Sequence, residues 1–310
     1  MDILQAFEYT DTMKPFKKLL DGLEIDVLNV EYCRVGTEWN YRNVNNPYSR
    51  IYLVTDGSAM LEHHGRTFDL RPGRLYLIPC FTRVNMFCPD MLLHYYVHFT
   101  ARIQTGLDIL SLFACHYEAD TQQHGIGCEL FDRLLVLNPD RELFDYDACK
   151  SIYSTVLERA HQLDQTKTPA SLLETNALLR LLLAVFFSDF EHPQTSNTLQ
   201  GLVRFTPVLE YVRENLSRAM TVSELADVAG LNPTYFCNLF SRHMGVSPIQ
   251  YVNKRRIEEA QKRLLGTHET LYQVAQSVGF SDEYYFSRVF KKIVGIAPDH
   301  YRKKHILPGR

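Results

Sequence analysis

The chain has 310 residues, enough for two domains, and its 45% hydrophobic and 22% charged content argues against a disordered or fibrous protein. The formal net charge of -3 conceals an asymmetry: residues 201–310 carry 16 Lys+Arg against 10 Asp+Glu, a net of +6, while the remainder is acidic at -9. A polyanionic partner is therefore expected for the C-terminal part alone.

Seven cysteines, odd in number and never spaced C-x-x-C, suit free thiols in a reducing compartment better than a disulfide frame or a zinc site. The start, Met1-Asp2-Ile3-Leu4, lacks a basic region followed by an apolar core, which argues against a signal peptide. The most apolar stretch, 178–187, contains Arg180 and is far shorter than the roughly 20 residues of a spanning helix. A soluble, cytoplasmic protein without a membrane partner is expected.

Residues 24–99 read as short strands punctuated by turns. Ile51-Tyr52-Leu53-Val54-Thr55 runs into Asp56-Gly57, and a strand over 59–62 meets His63-His64-Gly65. Arg71-Pro72-Gly73 then precedes strands over 75–78 and 92–99. Short strands with Gly and Pro turns imply an antiparallel sandwich or barrel. Side chains alternate along a strand, so His94, Tyr96 and His98 share one face. From residue 105 the periodicity turns helical. Leu107, Ile109, Leu110, Leu112 and Phe113 mark one helix, 146–163 a second, and 169–190 a third. The third is apolar around most of its surface, which predicts burial on more than one side, by the barrel, by a second copy, or by both. Polar, turn-rich residues 191–201 read as a linker.

The last hundred residues contain a repeat. Thr221-Val222-Ser223-Glu224-Leu225-Ala226 echoes Thr270-Leu271-Tyr272-Gln273-Val274-Ala275 at an offset of 49, as Gly230 echoes Gly279. Beyond the turn the offset is 50: Tyr235-Phe236 matches Tyr285-Phe286, and Gly245-Val246-Ser247-Pro248 matches Gly295-Ile296-Ala297-Pro298. Each copy spells helix, turn, helix. Thr221-x-x-Glu224 and Thr270-x-x-Gln273 are capping boxes, Gly230 and Gly279 sit where a helix must stop, and Asn232-Pro233 restarts one.

On the second helix of each copy the buried stripes are expected to be Phe236, Leu239, Phe240 and Met244, and Phe286, Val289, Phe290 and Ile293. The outer faces then hold Thr234, Cys237, Asn238, Ser241 and Arg242, and Glu283, Tyr284, Ser287, Arg288 and Lys291. Short capped helices with polar, Arg-bearing faces suit the major groove, where such side chains reach base edges, while Lys292 is placed to meet a phosphate. A joining helix over 248–264 is roughly 25 Å long at about 1.5 Å per residue. That is the order needed to hold two reading heads near the 34 Å spacing of successive major grooves.

These residues carry a family resemblance. The string Ala275-x-x-x-Gly279-Phe280-x-x-x-x-Tyr285-Phe286-Ser287-Arg288-x-Phe290-Lys291-Lys292-x-x-Gly295-x-x-Pro298-x-x-Tyr301-Arg302 resembles the DNA-binding domain of AraC/XylS regulators. The likeness spans 202–304. It implies base reading by Thr234, Cys237 and Asn238 and by Glu283, Tyr284, Ser287 and Arg288, foremost Arg288. Pro233 and the absence of Arg at 238 depart from the pattern in the first helix.

Gly65-Arg66-x-Phe68-x-x-Arg71-Pro72-Gly73-x-x-x-Leu77-x-Pro79 is similar to the family's sensor domain. That resemblance implies an α+β protein: an N-terminal cupin-like antiparallel β-barrel plus helices, and a C-terminal all-α domain with two helix-turn-helix units. The barrel would occupy 1–104, its dimerising helices 105–190, the linker 191–201 and the DNA-binding domain 202–310. The match places Arg42, Met86, His94 and Tyr96 at effector-binding positions, with Met86 replacing a polar aromatic. Trp39, the single tryptophan, is available to stack on the ligand.

Arg, His and Tyr converging inside a barrel suit a small polar effector, such as a sugar or sugar derivative. The function expected is a DNA-binding transcription regulator, dimeric and effector-controlled, with no cofactor and no catalysis. Two alternatives stand beside it. In one, the N-terminal domain only dimerises. In the other, it is a metal-dependent cupin enzyme, which is disfavoured because His63 and His64 adjoin a turn with diverging side chains. No H-x-H followed by Glu occurs at strand spacing either.

Overall fold

The computed structural model describes residues 17, 19–113, 115–143, 153–187 and 193–305. Among the described residues nine strands build the N-terminal part: β1 (Glu24–Val35), β2 (Asn40–Val44), β3 (Ser49–Gly57), β4 (Ala59–His63), β5 (Arg66–Leu70), β6 (Arg74–Ile78), β7 (Val84–Phe87), β8 (Leu92–Arg102) and β9 (Glu118–Asp120). They form a five-stranded sheet in the order β1-β8-β3-β6-β9 and a four-stranded sheet in the order β2-β7-β4-β5. The barrel expected from sequence is thus an open pair of facing sheets, without a hydrogen-bonded seam between them among the described residues.

Strand alternation explains the layering. Leu92 and Tyr96 on β8, Tyr52 and Val54 on β3 and Tyr76 and Ile78 on β6 point between the sheets, where Leu61, Phe68 and Met86 meet them. The opposite faces of the same strands present Ile51, Leu53, Leu75, Leu77, Val97 and Phe99 to the helices. Because β3 and β8 are covered on both sides, they read as nearly unbroken buried runs.

Among the described residues a single helical turn, Thr121–His124, follows the sheets, and then come α1 (Cys128–Leu137), α2 (Tyr153–Gln165), α3 (Pro169–Ala184) and α4 (Pro193–Glu214). The helix expected near Leu107–Phe113 is a single 3-10 turn, Ile109–Ser111, capped by the Asp108 carboxylate. Its apolar side chains cover the sheet without needing a full helical turn. The 146–163 expectation holds from Tyr153 onward, and its first residues lie outside the described ones. The expected linker is mostly helix, because α4 begins at Pro193 and runs through Pro207; residues 191 and 192 lie outside the description.

A buried arginine joins these layers. The Arg141 guanidinium, fully enclosed, donates to the carbonyl oxygens of Val27 and Ala160 and meets the Asp164 carboxylate at 2.5 Å. Its own carbonyl accepts from Val30 N, 3.1 Å away. One side chain therefore ties β1 to α2, and its desolvation is offset by the acceptors around it.

Helix α3 is less enclosed than its composition suggests. Thr175, Leu179, Leu182 and Leu183 face inward, while Leu173 and Leu181 are 74% and 51% exposed. With its terminal 3-10 turn it is long and apolar enough to cross a membrane by length and composition alone, and 33% of that window is buried in the fold.

The C-terminal part comprises α5 (Val222–Val228), α6 (Pro233–Met244), α7 (Pro248–Gly266), α8 (Leu271–Ser277), α9 (Glu283–Val294) and α10 (Pro298–His305). It meets the N-terminal part through α7, which packs against α2. Ile257, Ala260, Leu264 and Leu265 share a cluster with Leu28 and Tyr48. Around that cluster, Gln261 Nε2 donates to Asn45 Oδ1 at 3.0 Å and the Tyr301 hydroxyl to Asn45 O at 3.1 Å.

Candidate nucleic-acid interface and sandwich interior

Both helix-turn-helix units form as the local chemistry directs. In the first, the Thr221 hydroxyl accepts from Glu224 N while the Glu224 carboxylate accepts from Thr221 N. In the second, Thr270 and Gln273 make the same reciprocal pair. Helix α6 starts on Asn232, whose side chain accepts from Tyr235 N at 2.9 Å, with Pro233 in its first turn. Helix α9 starts on Asp282, which accepts from Tyr284 N and Tyr285 N. The shift from offset 49 to 50 is one extra residue in the second turn, so Asp282 caps where Asn232 caps in the first.

Gly279 is required on two counts. Its φ is +88°, and a Cβ there would lie 2.2 Å from Leu216 O and 2.9 Å from Arg256 Nη2.

Phe236, Phe240, Phe286 and Phe290 are fully buried and Leu239 nearly so. One expected stripe residue is corrected: Ile293 is 42% exposed and Val294 takes its place at 3%. The inward positions on α9 are 286, 290 and 294, spaced by four, and Ile293 falls on the flank.

The faces assigned to DNA remain open. Thr234, Asn238 and Arg242 are exposed on α6 and Cys237 is half-buried; on α9, Tyr284, Arg288, Lys291 and Lys292 are exposed and Glu283 and Ser287 half-buried. The Arg288 guanidinium lies 5.8 Å from the Tyr285 ring centroid, which orients it along the outer face. Exposed donors on two short helices, each anchored by phenylalanines beneath, suit hydrogen bonding to base edges.

The N-terminal part meets this unit away from those faces. Arg83 Nη2 donates to Val294 O at 2.7 Å, satisfying a C-terminal carbonyl of α9, and Arg255 Nη2 donates to Gly106 O at 2.8 Å.

Between the sheets, four of the five expected effector residues come together: Trp39, Met86, His94 and Tyr96 are all at most 5% exposed. Arg42 does not join them. It lies on the exposed part of β2. The buried arginine is Arg50 on β3, whose Nη1 approaches Met86 Sδ at 3.8 Å and whose guanidinium lies 5.5 Å from the Tyr48 ring. His94 packs edge-on against Tyr52 at 5.1 Å, and His98 stacks on Tyr96 at 4.7 Å. The Tyr96 hydroxyl donates to Glu31 Oε2 at 2.6 Å and accepts from Leu143 N. His98 Nδ1 is buried without a hydrogen-bond partner.

The rings of His63 and His64 approach rather than diverge, with Nδ1 atoms 3.0 Å apart, because His64 turns back at φ +51°. Among the described residues no group of three or more His, Cys, Asp or Glu could hold a metal ion.

Residues 225–304 match the helix-turn-helix domain family. Over 256 residues, 81% of this chain and 79% of the other, the sequence is 30% identical to the arabinose operon regulatory protein of Escherichia coli K12. The chain belongs to the AraC/XylS family of transcription regulators.

A second relative, the raffinose operon transcriptional regulatory protein of Pediococcus pentosaceus, is 29% identical over 138 residues, 44% of this chain and 50% of that one. The match thus spans half of that relative's length. The solved DNA-binding domain of AdpA, in complex with a target DNA, has 25% identity and a TM-score of 0.31 over 32% of this chain and 90% of that one.

In this family member, burial pushes the His94 pKa down to about 4, and burial together with the nearby His64 does the same for His63. Both groups fold neutral. Their contribution to stability is full above the ordinary value near 6.5 and falls as the pH drops towards 4, because across that window only the unfolded chain binds the protons. Urea midpoints at pH 7 and pH 5 should therefore differ, with the lower at pH 5, and His94→Gln should narrow the gap. Equal midpoints in the wild-type protein would contradict the neutral assignment.

Proposed function

We propose that this regulator reads two successive major grooves of its operator. Thr234, Cys237, Asn238 and Arg242 enter one groove, Glu283, Tyr284, Ser287 and Arg288 enter the next, and Lys292 contacts phosphate. The observation that carries this reading is the exposure of both outer faces while the N-terminal part packs elsewhere. Helix α7, with 19 residues, spans roughly 28 Å at about 1.5 Å per residue. That separation approaches the groove spacing of about 34 Å.

Arg288→Ala should cost about 1–3 kcal/mol against the cognate site and relax preference at one base position. Lys292→Ala should weaken cognate and scrambled duplexes alike and reduce the slope of log affinity against log salt by about one. The check is a salt titration of both variants on both duplexes. Parallel losses for the two variants would reject the division of labour.

The acting form is a homodimer in the cytoplasm, joined through the outer face of α3. Leu173, Ala177 and Leu181 line that face at helical spacing, and each is exposed in the single chain. Leu179 and Leu183 on the same helix are buried at 1% and 3% and belong to the protomer's own core. Leu181→Glu should therefore yield a folded monomer by sedimentation at micromolar concentration, whereas Leu179→Glu should unfold the N-terminal part. A dimer that survives the charge at 181 would move the interface elsewhere.

The effector is a small polar molecule, a sugar or sugar derivative, bound between the sheets near Trp39, Met86, His94 and Tyr96. The polar character of that interior supports this, as does the relationship to an arabinose operon regulator. Arg50 replaces Arg42 as the cationic group, since Arg42 is exposed. A panel of pentoses and hexoses should contain one that raises the melting midpoint with concentration, as mass action requires. His94→Gln should abolish that rise. A panel without effect would favour an N-terminal domain that only dimerises.

A further inference from the structure

A column of cations and rings runs from the middle of α7 to the outer face of α9. At its base the Arg256 guanidinium donates to the carbonyl oxygens of Leu216 and Arg218 at 3.1 and 2.6 Å. The buried ring of Phe280, in the turn between α8 and α9, lies 5.5 Å from that guanidinium and is braced by Phe286 at 5.4 Å. Phe280 in turn meets the ring of Tyr285, with centroids 5.8 Å apart and planes at 59°, within the range of favourable aromatic pairs. Tyr285 is 43% exposed, and the Arg288 guanidinium lies over it at 5.8 Å. Residues 285 and 288 are three apart on one helix, which is why the two side chains meet. Burial lowers the Arg256 pKa and Tyr285 counters part of that, so the tyrosine lies within electrostatic reach of both arginines. The first unit cannot build the same column. There Leu231 stands where Phe280 does, and neutral Asn238 where Arg288 does, beside the equivalent Tyr235.

We propose that Phe280 and Tyr285 are specificity-determining positioning residues, which sharpen base reading by holding Arg288 in its groove pose without base contacts of their own. This rests on the reading of Arg288 as a base contact. A guanidinium recognises a base edge with two donors in a fixed fork, so discrimination needs its plane aligned with that edge. A freely rotating arginine facing the wrong base swings to a neighbouring phosphate and recovers part of the lost energy, which blurs the preference. A guanidinium lying over a ring that is itself anchored to α7 has given up part of that freedom before DNA arrives. Ordering it on binding then costs less, and alternative contacts on a wrong duplex come less easily. The two reading heads are therefore unequal: α9 presents a braced cation, and α6 presents Asn238 at the same place, with Leu231 behind it in place of the middle ring. The base that faces Arg288 is read more strictly than the one that faces Asn238.

The test selects duplexes from a randomised library with the full chain at fixed salt, and reads base preference at every position by sequencing. Arg288→Ala identifies the position that this arginine reads. There Tyr285→Leu and Phe280→Leu should each lower the preference by about two- to fivefold, the worth of an exposed cation–ring contact, while Tyr285→Phe should keep it. Leucine is what the first unit carries at 231, the place equivalent to 280, and unchanged preference at the other positions shows that each variant is folded. In an Arg288→Ala background, Tyr285→Leu should have no further effect, as expected of a residue that acts through the arginine. Tyr235→Leu, at the equivalent place in α6, should change no position. A preference that either leucine variant at 280 or 285 leaves intact would overturn the proposal, as would its loss in Tyr285→Phe. So would a loss that persists in the Arg288→Ala background, or an equal loss in Tyr235→Leu, since the tyrosines would then meet DNA themselves. If Arg288→Ala relaxes no position, the reading of that arginine falls and the proposal with it. That outcome is distinct from a sharp Arg288 position indifferent to both rings.

Discussion

The guanidinium of Arg256 is the contact on which the geometry of the reading heads depends. It projects from the middle of α7, 8% exposed, and donates to Leu216 O at 3.1 Å and Arg218 O at 2.6 Å, the carbonyls that follow α4. On its other side it lies 5.5 Å from the Phe280 ring, in the turn of the second unit. One charged group thus joins the scaffold of the first helix-turn-helix to the turn of the second. Enclosing a cation costs several kcal/mol unless acceptors meet it, and here two carbonyls and an aromatic face do so. The same crowding explains why position 279 has no side chain. Any Cβ there would collide with Leu216 O and with the arginine itself.

From this contact outward the two surfaces of the C-terminal part take opposite roles. Helix α7 buries Ile257, Ala260 and Leu264 in a cluster shared with Ala160 of α2, Leu28 and Tyr48, while α6 and α9 leave their polar faces to solvent. The asymmetry of charge follows the same division. The basic excess of residues 201–310 is distributed between the outer faces and the α7 side, where acidic Glu258 and Glu259 neutralise part of it. A surface that must meet DNA keeps its cations exposed, and a surface that must meet protein pairs them.

The C-terminal part was legible because its information is local. Capping boxes, a stop glycine and period-four phenylalanines each act within one or two helical turns, and the duplication presented every signal twice. Ile293 for Val294 is a phase error of one residue at a helix end, where either residue can turn inward, and Met244 and Val289, expected in the stripes, are half-buried at their edges. In the N-terminal part the decisive relations are long-range. Alternation correctly set His94, Tyr96 and His98 on one face, since that needs only a strand. Whether Arg42 or Arg50 shares that face depends on which strand pairs with β8, and β3 does so across four intervening strands, a relation that local pattern does not reveal. Counting by twos from Tyr52 would have pointed to Arg50. The helix α1 went unread for a different reason: Cys128–Leu137 carries Glu129, Asp132 and Arg133 among its apolar residues, and Gly127 before it offers no side-chain cap.

What joins the two halves is apolar packing, in which α4, α6 and α7 share buried clusters with the sheets and with α2, together with polar contacts made mainly to backbone carbonyls. Arg83 reaches Val294 O, Arg255 reaches Gly106 O and Arg213 reaches Gln104 O. A hydrogen bond of this kind contributes about 0.5–1.5 kcal/mol net, because each partner would otherwise bond to water. A contact such as Arg83 to the end of α9 then has a specific consequence. It couples the orientation of the second reading helix to the loop before β7, close to the two-sheet interior where His94 and Met86 lie. Displacing Arg83 by the length of one hydrogen bond would leave Val294 O without that donor, so a repacking of the two-sheet interior that moved the loop before β7 would change which orientations of α9 are favoured.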